Sequence, residues 1–229
     1  MTEAVVFDLD GVLLDSEQVW DEVREQLTRE RGGRWHENAQ RDMMGMSSPE
    51  WSAYMHDTLG LPEPPEEISA EVVRRLEEWY RRQLPLLDGA REAVERLAAR
   101  WPLGLASSSN REIIDLVLDV SALAPFFRVT VSSEEVARGK PAPDVYLEAA
   151  RGLEVAPENC AAVEDSSNGI RSAKAAGMRV VAIPNPHFPP DQESLGLADV
   201  TLGSLPELTP VTVAGDGTGA GDAGTTSAA

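Results

Sequence analysis

The sequence contains little that would suit a secreted or membrane-spanning protein. It has a single cysteine, Cys160, so no disulfide can form within the chain. No apolar run approaches the roughly 18 residues that a membrane-spanning helix needs. No cationic segment precedes an apolar stretch at the N-terminus, so no signal peptide is predicted. These absences favour a protein of the reducing cytoplasm.

Basic residues are also scarce. The 20 Lys and Arg residues stand against 39 Asp and Glu residues, which gives a formal net charge of -19. Nucleic acid is therefore not an expected partner, because a phosphate backbone requires a basic surface. No membrane partner is expected either, and nothing in the sequence indicates an oligomeric state. A small phosphorylated compound is still possible, since one or two local cations and a metal can bind it inside an acidic protein.

Short apolar runs rich in β-forming residues alternate with helical patterns along most of the chain. The runs predicted as strands are residues 4–9, 103–107, 129–132, 160–164 and 180–183. Helical patterns follow at residues 90–100, with Asp88 as the candidate N-cap, and at 112–118, with Asn110 in that role. A third ends at Gly177. This alternation predicts a parallel α/β sheet.

One segment interrupts the alternation. Residues 17–83 contain only helical patterns, with apolar residues at i, i+4 and i+8, and the segment is too long for an ordinary connection. We therefore predict a helical domain at 17–83 inserted into an α/β core formed by residues 1–16 and 84–209. Residues 210–229 are mainly Gly, Ala and Thr, and we predict a disordered tail there.

Four polar clusters follow four of the predicted strands. They lie at residues 8–11, 107–110, 140–141 and 164–166. Ligands of open parallel sheets bind outside the carboxyl ends of the strands. We therefore expect the four clusters to meet in one crevice, although they are far apart in the sequence.

Asp8 and Asp10 flank one residue at the end of the first predicted strand. Carboxylates this close together repel one another, and a bound divalent cation would relieve the repulsion; oxygen ligands favour Mg²⁺. Since residues i and i+2 of a strand share a face, one carboxylate could be a nucleophile and the other an acid or base. The alternative is a structural turn, because Asp-Gly is a common turn pair.

Glu164 and Asp165 form a second acidic pair after a predicted strand. They either supply the remaining carboxylates of a metal site or cap the next helix. Lys140 either neutralises phosphate oxygens and an attacking carboxylate or is simply solvated in its loop.

A third candidate feature is the serine-rich turn at residues 107–110. Ser107 and the amides after it, including that of Ser108, can donate hydrogen bonds to phosphate. The helix that begins after Asn110 adds a favourable N-terminal dipole. Ser-rich turns are also common without any ligand.

Taken together and in this order, the four clusters resemble the motifs of the haloacid dehalogenase (HAD) superfamily. The matching segments are residues 6–12 (VFDLDGV) with 15–17 (DSE), 105–107 (LAS), 139–144 (GKPAPD) and 163–170 (VEDSSNGI). Each motif is short, but all four in order with a helical insertion after the first are highly specific. The resemblance covers about residues 3–205. It implies a doubly wound, Rossmann-like α/β core with an inserted α-helical cap domain that closes over the pocket.

The resemblance also implies a chemistry, namely Mg²⁺-dependent phosphatase activity through an aspartyl-phosphate. Asp8 would attack phosphorus, and Asp10 would protonate the leaving alcohol and then deprotonate the hydrolytic water. Ser107 and Lys140 would hold the phosphoryl group.

The same resemblance implies the ligands of the metal. Mg²⁺ would be bound by the Asp8 carboxylate, the Asp10 backbone carbonyl and Asp165, with Glu164 acting directly or through water. Phosphoryl transfer depends mainly on positioning and on neutralising the phosphoryl oxygens, which suits this set of residues.

Within the superfamily, the nearest patterns are those of sugar-phosphate phosphatases and β-phosphoglucomutase. The mutase-like branch usually has a histidine where Trp20 stands, and a cap arginine after a Gly-x-Ser motif, where residues 45–48 place Ser48. Without an arginine to bind the second phosphate, a bisphosphate intermediate would be poorly held. We therefore predict hydrolysis of a small phosphomonoester, such as a phosphorylated sugar or related metabolite. Two alternatives stay open: a β-phosphoglucomutase-like isomerase and a catalytically silent binding protein on the same scaffold.

Overall fold

A computed structural model describes residues 1–44 and 46–215 of the chain. Its centre is a six-stranded sheet in which every paired neighbour is parallel, with the order β3-β2-β1-β4-β5-β6. The strands are β1 (Ala4–Phe7), β2 (Leu103–Ser107), β3 (Phe127–Ser132), β4 (Cys160–Glu164), β5 (Arg179–Ala182) and β6 (Val200–Thr201). This is the order of a doubly wound α/β fold, so the predicted fold class is confirmed.

Ten α-helices accompany the sheet in the described part of the chain. They are α1 (Glu17–Glu30), α2 (Ala39–Met43), α3 (Ser48–Asp57), α4 (Pro65–Arg82), α5 (Ala90–Ala98), α6 (Arg111–Val120), α7 (Asp144–Leu153), α8 (Ser167–Ala175), α9 (Gln192–Leu195) and α10 (Pro210–Ala214). None of these described helices is long and apolar enough to cross a lipid bilayer.

The central strands β1, β2 and β4 are buried on both faces, which explains why they are mostly apolar rather than alternating with polar residues. Side chains of a strand point alternately to the two faces. Val5 and Phe7 of β1 therefore join one hydrophobic cluster, which α5 and α6 complete. Ala4 and Val6 join the other, which α7 and α8 complete.

Helices α1 to α4 follow the first strand, and we call them the cap helices. The predicted apolar stripes are buried: Val19, Val23 and Leu27 in α1, and Val72, Leu76 and Tyr80 in α4. Helix α4 packs against α1 and α3 within the group and against α6 outside it. No strand occurs between residues 17 and 82 in the part that the structure describes. The exact domain division at residues 17–83 stays a prediction.

Two local predictions are wrong. Helix α5 is preceded by Gly89 rather than capped by Asp88; Gly89 has φ +82°, a left-handed conformation that glycine adopts without strain. Residues 210–214, predicted as the start of a disordered tail, form α10, whose Val213 is fully buried. Because residues 210–229 are rich in Gly and Ala overall, the short Pro-Val-Thr-Val stretch at their start was not recognised as helical. Most of the predicted tail, residues 216–229, lies outside the described residues, as does Gly45 of the Gly-x-Ser motif.

Candidate active site

The carboxyl ends of the central strands open into one cavity. Asp8 follows β1, Ser108 follows β2, Lys140 lies between β3 and α7, and Asp165 follows β4. Strands β1 and β4 are neighbours where the strand order reverses, which is where open α/β sheets bind ligands. The cavity is lined by Asp8, Asp10, Glu17, Trp20, Arg24, Met43, Met44, Met46, Trp51, Ser108, Ser109, Lys140, Asp165 and Ser166.

Lys140 is the centre of a buried ion-pair network. Its Nζ donates hydrogen bonds of 2.7 Å to Asp8 Oδ1 and of 2.7 Å to Glu164 Oε1. Tyr146 of α7 donates a third, also 2.7 Å long, to the same Glu164 oxygen. No described residue donates a hydrogen bond to Asp8 Oδ2. The network therefore orients the Asp8 carboxylate through one oxygen and leaves the other available.

The pKa values of this network show that it needs more positive charge. Burial is the main reason why the pKa of Asp8 is raised to about 8; Lys140 opposes the rise, and the negative charges of Glu164 and Asp10 add to it. Burial acts to lower the pKa of Lys140, but attraction to Asp8 and Glu164 raises it above its usual range. Lys140 therefore stays protonated, whereas Asp8 requires a further cation to be fully ionised at neutral pH.

Three buried carboxylates form a group that could hold this cation. Oxygens of Asp8, Glu164 and Asp165 lie within 4.8 Å of one another. When all three are ionised, their negative charges meet the single positive charge of Lys140, which leaves two uncompensated. Asp165 Oδ2 is buried and has no hydrogen-bond partner among the described residues. Both the charge and the unpartnered oxygen fit a divalent cation with oxygen ligands, which is the preference of Mg²⁺.

Two glycines make room for these carboxylates. Gly11 has φ +80°, and a Cβ there would lie 1.9 Å from Asp165 Oδ2. A Cβ at Gly169, at the start of α8, would lie 1.9 Å from Glu164 Oε1. Any larger residue at either position would displace the acidic group, so the Asp-Gly pair at residues 10–11 does more than make a turn.

Asp10 is held separately from the lysine network. Its Oδ1 accepts hydrogen bonds from Ser16 Oγ at 2.6 Å and from Trp20 Nε1 at 3.2 Å. Its Oδ2 accepts one from Ser109 Oγ at 2.6 Å. Donors from the loop before α1, from α1 itself and from the β2–α6 loop thus fix the carboxylate in one position.

The structure places the predicted phosphate-binding residues in different surroundings. Ser108 and Lys140 line the cavity. Ser107 is fully buried beneath it, and its Oγ accepts a hydrogen bond from the Ser109 amide at 3.0 Å. Asn110 turns away towards α4 and the β3–α7 loop, where its amide donates to Glu134 Oε1 at 2.9 Å, and it lines a different cavity. A direct role for the Asn110 side chain at this site is therefore not supported.

The cap helices contribute the opposite wall of the cavity. The Arg24 guanidinium lies over the Trp20 ring, 4.4 Å from its centroid, and over the Trp51 ring, 4.8 Å from its centroid. Nearby, Glu17 accepts a 2.9 Å hydrogen bond from Gln40. Burial and the negative charge of Asp10 raise the pKa of Glu17 to about 7, although Arg24 and the Gln40 hydrogen bond lower it.

Most of the residues that form this wall were not predicted from the sequence to line the cavity. Glu17, Trp20 and Arg24 are spaced i, i+3 and i+7, so they share one face of α1. This mixture of charge and aromatic character beside the apolar stripe was a usable signal. Ser109 and Tyr146 gave none, because their partners Asp10 and Glu164 are distant in sequence.

Comparison with known proteins agrees with this geometry. A family model described as haloacid dehalogenase-like hydrolase matches residues 2–177. Hexitol phosphatase B of Escherichia coli strain K12 is 36% identical over 212 residues, covering 90% of this chain and 94% of that protein. A probable pseudouridine-5'-phosphatase of Drosophila melanogaster is 33% identical over 212 residues, covering 90% of each.

A solved structure shows the same architecture. CbbY from Rhodobacter sphaeroides, crystallised in complex with phosphate, superposes with a TM-score of 0.81 at 27% identity, over 91% of this chain and 96% of that one. The similarity extends through the sheet and the cap helices, since it covers nearly all of the described residues.

Proposed function

This chain belongs to the haloacid dehalogenase-like hydrolases and is a phosphatase of that family, and we propose that its substrate is the phosphate monoester of a sugar or related metabolite. The observation that carries the proposal is the Lys140–Asp8–Glu164 network beside the unpartnered Asp165, at the reversal point of the sheet. Hexitol phosphatase B and the probable pseudouridine-5'-phosphatase are both named for phosphate esters of polyhydroxylated compounds.

Asp8 is the nucleophile in this proposal. Its Oδ2 attacks phosphorus, the bond to the ester oxygen breaks, and an aspartyl-phosphate forms. Lys140 anchors Oδ1 at 2.7 Å, so the carboxylate cannot rotate away during the attack. Ser108 and Lys140, which line the cavity, hold the phosphoryl oxygens through hydrogen bonds and charge.

Asp10 is the acid and base. It protonates the leaving alcohol oxygen in the first step and takes a proton from the attacking water in the second. Its three hydrogen-bond donors keep it beside Asp8 without linking it to Lys140. The two aspartates are thus held by independent contacts, which allows each a separate role.

Mg²⁺ is the proposed metal, and Asp8, the Asp10 backbone carbonyl and Asp165 would hold it, with Glu164 in the same acidic group as Asp8 and Asp165. When bound, it supplies charge that neutralises phosphoryl oxygens and keeps Asp8 ionised. Both Glu164 oxygens already accept hydrogen bonds, from Lys140 and Tyr146 on one side and from the Asp165 amide on the other. This favours a contact of Glu164 with the metal through water.

Hydrolysis is favoured over isomerisation by the cap wall. Trp20 occupies the position of the mutase histidine, and its indole N–H donates a hydrogen bond to Asp10. That position therefore has no titratable side chain. Ser48 is buried and lines the cavity that also contains Asn110, not the one that contains Asp8. Ser48, which stands where a mutase has the arginine that binds the distal phosphate, therefore does not line the cavity that contains Asp8.

The test is a phosphate-release screen with Mg²⁺ over sugar phosphates, sugar-alcohol phosphates, phosphoglycolate and nucleotides. We expect the highest kcat/KM among the first two classes. Asp8→Asn should lower kcat at least about 10⁴-fold, as expected for loss of a nucleophile. The control Asp119→Asn changes an exposed residue of α6 and should leave the rate unchanged.

Acid quenching during turnover should trap the phosphoryl group on the wild-type protein and not on Asp8→Asn. Mg²⁺-dependent phosphatase activity in Asp8→Asn would contradict the mechanism. Conversion of β-glucose 1-phosphate to glucose 6-phosphate faster than release of phosphate would replace hydrolysis by isomerisation.

A further inference from the structure

Arg24 is a buried cation for which the mechanism above has no use. It is only 6% exposed, and it lines the cavity that contains Asp8. Its Nε is buried without a hydrogen-bond partner, and no described residue forms an ion pair with its guanidinium. A buried N–H donor without a partner is costly, because it has lost its water and gained no hydrogen bond.

Stacking explains how Arg24 is tolerated without satisfying its donors. The guanidinium is weakly hydrated and favours the faces of aromatic rings, and here it contacts both Trp20 and Trp51. Those contacts are made to the ring faces and involve no hydrogen bond, so they leave the N–H groups of the guanidinium without a partner among the described residues. The in-plane donors are therefore suited to a ligand in the cavity.

The charges nearby decide which kind of ligand fits. Glu17, Asp10 and Lys140 line the same cavity as Arg24, and Glu17 and Asp10 are the anionic groups that interact most strongly with the Arg24 charge. A second phosphate next to Arg24 would face these two carboxylates at close range. A hydroxyl group avoids that repulsion, since its oxygen accepts from Arg24 while its hydrogen is donated to Glu17.

We propose that Arg24 and Glu17 form a hydroxyl-binding subsite that selects substrates whose leaving group is a neutral polyol, and rejects those with a second phosphate. The subsite rests on the proposed function, because it binds the alcohol that departs from phosphorus when Asp8 attacks. Met43 and Met46 line the same cavity and supply apolar, adaptable surface for the carbon chain.

The test compares three probes with Mg²⁺: sorbitol 6-phosphate, 4-nitrophenyl phosphate and fructose 1,6-bisphosphate. Replacing Arg24 by methionine (Arg24→Met) should lower the ratio of kcat/KM for sorbitol 6-phosphate to that for 4-nitrophenyl phosphate by about 30-fold, as expected for lost hydrogen bonds to a charged donor. Most of the change should be in KM. The matched control is Arg29→Met on the same helix, where the side chain is exposed and pairs with Glu25; it should leave the ratio unchanged.

A second variant keeps the test independent of folding defects. Glu17→Gln removes the negative charge and keeps an acceptor oxygen for the substrate hydroxyl. It should raise kcat/KM for fructose 1,6-bisphosphate about tenfold relative to sorbitol 6-phosphate, the size of one partly buried charge interaction. A gain of this kind cannot come from a damaged structure.

The outcomes separate the two proposals. An equal fall for all three probes in Arg24→Met, or a selective fall for the bisphosphate, would overturn the subsite while the phosphatase stands. The subsite is also overturned if Glu17→Gln leaves the substrate preference unchanged. A folded wild-type protein that hydrolyses none of the probes would overturn the proposed function, and the subsite with it.

Discussion

The two walls of the cavity are built on different physical principles. On the core wall, Lys140 joins Asp8 and Glu164 through hydrogen bonds of 2.7 Å, and all three are buried. On the cap wall, Arg24 is equally buried but is held by ring faces and by no ion pair in the described part of the chain. One wall is a network of directed, charged contacts, whereas the other is a stacked and adaptable surface.

This difference separates the two tasks of the enzyme. The core wall must hold a phosphoryl group in one geometry for every substrate, and directed contacts do that. In the proposed subsite the cap wall recognises the leaving group, and the Arg24 guanidinium has no hydrogen-bond partner among the described residues that would compete for it. Substitutions on the core wall should therefore affect all substrates alike, and substitutions on the cap wall should change which substrate is preferred.

Among the substitutions that test this comparison, the largest effect is expected for Lys140→Met. Two buried carboxylates would lose their cation, and breaking a buried ion pair costs about 3–5 kcal/mol. Phosphatase activity should fall at least about 10³-fold with every substrate. Denaturant unfolding and phosphate release are the measurements. Lys174→Met, which breaks a partly exposed pair with Asp199, is the control and should cost less than about 1 kcal/mol. A loss of activity in Lys140→Met that is confined to some substrates would contradict the distinction between the two walls.

A smaller effect is expected for Ser109→Ala. It removes the 2.6 Å hydrogen bond to Asp10 Oδ2, so the acid and base would be less well positioned. We expect kcat to fall about tenfold, a part of the full contribution of general acid–base catalysis, with KM nearly unchanged. Ser204→Ala removes a hydrogen bond to the exposed Glu207 and serves as the control. An unchanged kcat in Ser109→Ala would show that the remaining donors, Ser16 and Trp20, suffice.

Tyr146→Phe should have a still smaller effect on the rate. The variant removes one of the donors to Glu164, while Lys140 remains. We expect a loss of about 1–2 kcal/mol in the free energy of unfolding and a fall in kcat of about threefold. Tyr54→Phe, which loses an exposed contact with Asp42, is the matched control. Equal costs for the two variants would contradict the assignment of Tyr146 to the buried network.

The smallest effect concerns the pH dependence of stability on the cap wall. The pKa of Glu17 is about 7 in the folded protein against 4.5 ordinarily, so the folded state binds its proton more tightly than the unfolded state does. Stability from this group is full below about pH 4.5 and is lost as pH rises towards 7. Glu17→Gln should therefore be more stabilising at pH 8 than at pH 5, by about 1–2 kcal/mol.

Denaturant unfolding at the two pH values measures this difference. Glu22→Gln on the same helix replaces an exposed carboxylate and should show a smaller change between them. A larger stabilisation by Glu17→Gln at pH 5 than at pH 8 would contradict the raised pKa of Glu17 in the folded protein.

The fold was largely predictable because its signals are local. Apolar runs bounded by turns marked five of the six strands, and the order of the motifs indicated a doubly wound sheet. The two-residue β6 and the five-residue α10 were missed, since each is too short to show a clear apolar period. Helix α10 depends on contacts such as the hydrogen bond from Thr2 to its Val213 carbonyl, 211 residues away.

The sequence alone determined which residues stand at the carboxyl ends of the strands, because strand ends and turns are set by neighbouring residues. Asp8, Lys140 and Asp165 were identified in this way. Only the tertiary structure decided how they are paired, since Lys140 meets Asp8 across 132 residues. It also turned Asn110 away from the cavity and placed Arg24 against Trp51. Burial and charge depend on contacts between distant segments, and those contacts exist only once the sheet and the cap helices have packed together.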